Sequence, residues 1–437
     1  MKRRTFWWLL VVLTPSCASL LDIPSDVETD DQLGRVDGGS DAVVDGGDAA
    51  DESKVPDAAD AADAADAADA ADAPDAVDAT DQDGDAELDG PNPDVEDAVS
   101  EDASPDVAEA GCVADLQTDP RHCGRCDHDC LGGDCANGEC KPFLMLSTAD
   151  GYVLDLVTFG GFVYYTVGGP SRSLGRIDPW TGGEVLIDSS SLGMPSGLLV
   201  DEGGVYFADR SDDVISYCPN LVCAGGPITL VTGLNRPTDL AAWEDDLYAI
   251  DNMNDRIVRA SKLAPGPFEV MAEGAMSAWA FEYPRIAVDE ESVYWSEAFA
   301  SGDDYVWRVP RVSPWNKEPV SGVVDSPAEI EITKDGLLVG TLGGSLLRIA
   351  QGGQTTSLAT TTEEVRGIAT DKTHIYWAKS GPQPDFLNGS LVRCELPDCA
   401  NVETLATGID NPWPVAIDAV GVYVGTWKGT IHGVAKP

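Results

Sequence analysis

The sequence predicts an all-β fold, a seven-bladed β-propeller over residues 142–437, with six and eight as the neighbouring blade counts. A twelve-residue pattern recurs seven times, starting at Leu156, Leu198, Leu240, Ile286, Ile330, Ile368 and Val415. Successive copies lie 42, 42, 46, 44, 38 and 47 residues apart, a spacing that suits four-stranded blades. The last unit is one strand short, and a spare strand-like segment precedes the first.

Each copy joins an apolar strand, a tight polar turn and a second strand of β-branched and aromatic residues. "IAVDEESVYWSE", Ile286 to Glu297, is an example, and the pattern is that of a hairpin. A third short strand often carries an arginine: Arg176, Arg259, Arg308, Arg348 or Arg393. A fourth follows, such as "ITLVTG" from Ile228 or "VETLATG" from Val402. One unit cannot bury both of its faces, but seven arranged radially bury them against one another. After the Val415 copy, "VGTWKGTIHGVAKP" supplies only a third strand. "FLMLSTADG", Phe143 to Gly151, matches the fourth-strand pattern and is expected to close the ring. Closure removes the exposed strand edges.

Upstream, "MKRRTFWWLLVVLTPSC" has three basic residues, an apolar run and Cys17. This order reads as a signal peptide over residues 1–17. The cysteine resembles that of a bacterial lipobox, with Thr14 and Pro15 as departures. The resemblance implies a lipid on Cys17 and attachment to the outer membrane or cell surface, the chain's only membrane contact. Ordinary secretion is the alternative. Residues 18–111 read as a disordered acidic spacer with no apolar stripe to bury. From Asp22 to Ala110 there are 31 acidic residues and 2 basic ones. "DQDGDAELDG", Asp81 to Gly90, invites a calcium-loop reading, but Ala86 stands where an EF-hand needs glycine. The formal charge of the whole chain is -49, which argues against nucleic acid and against electrostatic docking on anionic lipid.

The chain has eleven cysteines. Without Cys17 an even number remains, as expected for disulfides in an oxidising compartment. Cys112, Cys123, Cys126, Cys130, Cys135 and Cys140 fall in a small module, residues 112–141. Three disulfides of open pairing are expected there, with a zinc site using His122 or His128 as the rival. Cys218 with Cys223, and Cys394 with Cys399, are expected to close short turns between third and fourth strands.

An exported cysteine, an Asp/Ala-rich spacer and "DPRHCGRCDHDC" together resemble cell-envelope lipoproteins common in myxobacteria. That resemblance covers residues 1–140 and implies a location, with no activity attached. "YFAD", Tyr206 to Asp209, and "YWSE", Tyr294 to Glu297, resemble YWTD-type and NHL-type propellers over about residues 143–437. The fifth and seventh copies, "LVGT" and "YVGT", lack the acid, and there are seven units where YWTD propellers have six. The resemblance implies protein or carbohydrate recognition in many relatives and lactonase or lyase chemistry in a few. The fold does not choose between them.

In a propeller, the loops from fourth to first strand and from second to third strand surround one channel mouth. Asp209, Asp251 and Glu297 end the second strand in three consecutive copies. They are the candidate binding acids and candidate metal ligands, with calcium as the cation and Asn252 beside them. Arg285 and Arg366 stand near the start of innermost strands, and Trp279, Trp413 and Trp427 in or beside the same loops. Such a mouth suits a sugar, a peptide or a cation. The plainer alternative has the acids bonding backbone amides and the tryptophans packing the blade tops. Catalysis has little to rest on: of four histidines, His122 and His128 are in the cysteine module, His374 faces the opposite side and His432 is in the last strand. The expectation is a monomeric binding or interaction module for protein, peptide or carbohydrate, with no cofactor beyond that calcium. A metal-dependent lactonase- or lyase-like enzyme using Asp209, Asp251, Asn252 and Glu297, and a structural envelope protein, are the alternatives.

Overall fold

The computed structural model describes residues 114–148, 150–274, 284–297 and 304–437, which belong to one compact unit. Cys17, the acidic spacer with Asp81–Gly90, Cys112 and Trp279 lie outside the described residues. Seven four-stranded antiparallel sheets form seven blades. The innermost strands are Tyr152–Phe159, Pro195–Asp201, Pro237–Trp243, Ile286–Val288, Pro327–Thr333, Val365–Thr370 and Pro412–Ile417. Each touches the next, and the seventh touches the first. In the seventh blade Phe143–Ser147 pairs antiparallel with Thr430–Ala435, so the spare segment supplies the missing outer strand. The fourth blade departs from expectation, because its outer strand is only Glu318–Pro319. Pro310, Pro314 and Pro319 lack the N–H that a longer ladder would need there.

Hydrogen bonds explain why the twelve-residue pattern repeats. The turn carboxylate of Asp289 accepts the amides of Glu291 at 2.9 Å and Ser292 at 2.8 Å, while its other oxygen accepts the Tyr294 hydroxyl at 2.9 Å. Asp371 does the same for Thr373, His374 and Tyr376, and Asp418 for Val420, Gly421 and Tyr423. An aspartate that closes its own turn also fixes the ring five residues later. In two of these blades that tyrosine stands opposite the recurrent arginine of the third strand, which stands opposite a glutamate of the fourth. Tyr294, Arg308 and Glu318 form one such row, and Tyr376, Arg393 and Glu403 another. The Arg308–Glu318 and Arg393–Glu403 ion pairs measure 2.6 and 2.7 Å. Between blades the core is apolar: Trp295 packs with Tyr248 and Ile257, and Trp377 with Leu338 and Leu346. Each buried side chain of this size stabilises the ring by roughly 2–3 kcal/mol.

The cysteine module contains a short hairpin, Cys135–Ala136 with Glu139–Cys140. Cys123 bonds Cys135, Cys130 bonds Cys140, and Cys126 is disulfide-bonded as well. The zinc alternative is therefore overturned, since the thiols it needs are oxidised. Cys218–Cys223 and Cys394–Cys399 close third-to-fourth-strand turns. The module rests on the face opposite the channel mouth. His128 Nε2 lies 2.9 Å from the Lys436 carbonyl, and Leu131 packs beside Gly421 in a first-to-second-strand turn. Among the described residues no helix is long and apolar enough to cross a membrane.

Candidate functional site

The three rim acids are all buried, and Asp209 and Asp251 each serve their own blade. Asp209 accepts the amides of Gly193 at 2.8 Å, Met194 at 2.7 Å, and Ser211 and Asp212 at 3.2 Å. Asp251 accepts the Asn235 amide at 2.6 Å, Asn254 Nδ2 at 3.0 Å and Arg256 Nε at 3.0 Å, with Arg256 Nη2 in contact as well. Both bind the loop entering the blade to the loop after its second strand. Thr341 and Thr426 hold this place in the fifth and seventh copies, accepting the amides of Ser345 and of Lys428 and Thr430. Asn252 begins a single 3-10 turn, Asn252–Asn254. Glu297 is different, because its Oε2 has no hydrogen-bond partner among the described residues. Burial pushes its carboxyl up to about 7, against the pull of Lys317 and the Trp307 indole. Among the described residues the only three potential metal ligands within reach of one ion are disulfide-bonded cysteines.

The main charged cluster lies on the ring axis. Arg285, just before the inner strand of the fourth blade, places Nη1 3.7 Å from Asp155 and 3.7 Å from Asp239. Its Nε lies 3.2 Å from Glu329 Oε2. These acids belong to the first, third and fifth blades. The first and fourth blades are not neighbours in a seven-membered ring, so the guanidinium must reach across the axis. All four residues occupy one register, immediately before the start of their copy. Read around the ring, that position is Asp155, Gly197, Asp239, Arg285, Glu329, Gly367 and Pro414. A Cβ on Gly197 would come within 2.5 Å of the Asp239 Cα, so glycine there lets Asp239 approach the axis. A ladder irregularity precedes this register in six blades and frees an amide. Asp155 accepts such an amide from Leu198 at 2.8 Å, and Asp239 accepts the amide of Ile286, in the one blade with a regular ladder there, at 2.8 Å, each from the next blade.

Burial pushes Asp239 up to about 7 and Glu329 up to about 8, only partly offset by Arg285, and Asp155 moves up for the same reason. For Arg285 burial acts downward, but Glu329, Asp155 and Asp239 outweigh it and the net shift is upward. Of this cluster only Arg285 is among the candidates taken from sequence. Extending the alignment of the seven copies by one residue would have exposed the other three, as a charged position beside an apolar one.

Arg366, Trp413 and Trp427 come together at the mouth, and Tyr152 joins them. The Tyr152 and Trp427 rings stack at 4.5 Å with 14° between planes, and the Trp427 and Trp413 rings at 5.2 Å with 23°. The Arg366 guanidinium lies 4.4 Å from the Trp413 centroid and pairs with Glu364 at 2.6 Å. Phe386 flanks the arginine at 5.9 Å. These residues come from the first, sixth and seventh blades. Tyr152, Trp413 and Trp427 stay partly open to solvent.

Neither a family model nor a curated protein matches the sequence. Among solved structures the chain is similar to a streptogramin B lyase, at 14% identity and a TM-score of 0.55, over 68% of this chain and 97% of that one. It is similar to virginiamycin B lyase from Staphylococcus aureus at 15% identity and a TM-score of 0.53, over 68% and 99%. It is also similar to YCF48 from Cyanidioschyzon merolae at 8% identity and a TM-score of 0.50, over 67% and 98%. At these identities the likeness is one of fold, and it makes the protein a β-propeller.

Proposed function

We propose that this chain is an exported lipoprotein of the cell envelope, held by Cys17, whose propeller is a monomeric binding module. The ligand is a sugar ring or peptide side chain that rests on the mouth wall of Tyr152, Trp427, Trp413 and Arg366. One observation carries the binding reading. Tyr152 of the first blade and Trp427 and Trp413 of the seventh stack in a row at the mouth, beside the Arg366 guanidinium of the sixth, and stay partly open to solvent. Aromatic edges and faces beside a guanidinium suit a ligand with an apolar face and a polar rim. The lipoprotein part is supported by the basic–apolar–cysteine order at the N-terminus and by disulfides in both the module and the ring.

Tryptophan fluorescence of the purified chain, titrated with panels of oligosaccharides and short peptides, tests the site. A saturable change lost in Trp413→Ala, with the melting temperature kept within a few degrees, is the expected result. Binding that survives both Trp413→Ala and Trp427→Ala would overturn the assignment of the wall.

A further inference from the structure

We infer that the axial cluster of Asp155, Asp239, Arg285 and Glu329 holds one exchangeable proton in the folded ring, so that the propeller is locked across its axis in mild acid and loosened in mild alkali. The first support is a charge count. Three carboxylates surround one guanidinium, which leaves two negative charges uncompensated if all three are ionised. The side chains are 8–14% exposed, so water screens them weakly. Some positive charge must enter or some carboxylate must be neutral.

Geometry selects between those two. The oxygens of the three acids are not gathered within reach of one ion, and the arginine occupies the space between them. A metal would have to evict Arg285, whereas a proton needs no room. The acids also differ in how their oxygens are used. Asp155 and Asp239 each give one oxygen to an amide of the next blade at 2.8 Å, which favours the ionised form. Glu329 receives only a 3.3 Å contact from its neighbour's amide, that of Ile330. Its other charged neighbour is Glu331, a further buried acid whose hydroxyl partner is Thr370 at 3.4 Å. Glu329 is thus the acid with the weakest backbone support, and its partner for the charged form is the shared guanidinium at 3.2 Å. The directions of titration agree, because burial raises all three acids, Glu329 to about 8.

The sign follows by linkage. A carboxyl raised from its unfolded value near 4 to about 8 carries an extra proton when folded. Its contribution to stability is fully present below about 4 and is lost as the pH rises to about 8. Over that window the folded-to-unfolded ratio falls about tenfold per pH unit, and above it the dependence flattens.

The test uses the full chain and the variants Glu329→Gln and Asp239→Asn, with equilibrium unfolding followed from pH 5 to pH 9. Glutamine mimics the protonated glutamate. The stability of the wild type relative to Glu329→Gln should therefore fall steadily between pH 6 and pH 8. A second readout compares the two chains: calorimetry in buffers of different ionisation heat should find the unfolding wild type releasing about one proton more than Glu329→Gln near pH 6.5. Parallel pH profiles for wild type and Glu329→Gln, or equal proton release by the two on unfolding, would overturn the inference. So would calcium or magnesium restoring at pH 9 the stability that acid provides, since the compensating charge would then be a metal.

Discussion

Asp251 and Glu329 are both buried acids on the mouth side of one ring, yet their surroundings are opposite. Asp251 has an amide, a side-chain amide and a guanidinium to itself, all from its own blade. Glu329 shares one guanidinium with two other carboxylates from distant blades. The rim acid holds a loop in shape, whereas the axial acid belongs to a junction of four blades that is short of positive charge. The contrast teaches that enclosure alone does not say what a carboxylate does; the number of donors per acid does.

The comparison breaks most visibly at the shared cation. Arg285→Met leaves three buried acids facing each other and should cost about 3–5 kcal/mol at pH 8, with much of the loss regained at pH 5. Denaturant unfolding at the two pH values measures both figures, and a loss equal at both would mean that the axis behaves like the rim. Asp251→Ala should cost somewhat less, about 2–4 kcal/mol, because Arg256 can turn its freed end toward solvent. Its loss should be the same at pH 5 and pH 8, and a strong pH dependence would erase the distinction drawn here. The smallest effect belongs to the outer rows of arginine and glutamate. Glu318→Ala removes the partner of Arg308 at a half-exposed site, and the change should stay below about 1 kcal/mol and shrink in high salt.

The blades could be read in sequence because the Asp–Tyr turn is a local device. Asp289 and Tyr294 are five residues apart, as are Asp371 and Tyr376, and Asp418 and Tyr423, so these copies carry their turn within themselves, and the strand–turn–strand pattern of all seven gives the count. The closing strand was legible for a related reason, since Phe143–Ser147 fills a place that the last copy visibly lacks. The axial acids were not, because Asp155 and Glu329 acquire a meaning only after the ring has closed. More than 170 residues separate them in the chain. Asp209 and Asp251 were visible as recurring acids, but their amide partners, Gly193, Met194 and Asn235, carry no side-chain signal. Arg366, Trp413 and Trp427 stood out by residue type, while Tyr152 was masked by the strand pattern in which it sits.

The seam in the seventh blade sets how the ring would bear a mechanical load. Any tension on the chain before residue 114 reaches the propeller through the cysteine module and then through Phe143–Ser147. That strand lies alongside Thr430–Ala435, with Phe143 opposite Gly433 and Ser147 opposite Thr430. A pull along its length shears the backbone bonds together instead of peeling them one by one. Cys123–Cys135 and Cys130–Cys140 limit how much slack the module can release before the strand is loaded. His128, bonded to the Lys436 carbonyl, passes part of the pull to the far end of the chain. The join that completes the ring is therefore also its strain-bearing splice, and the mouth on the other side stays outside the line of force.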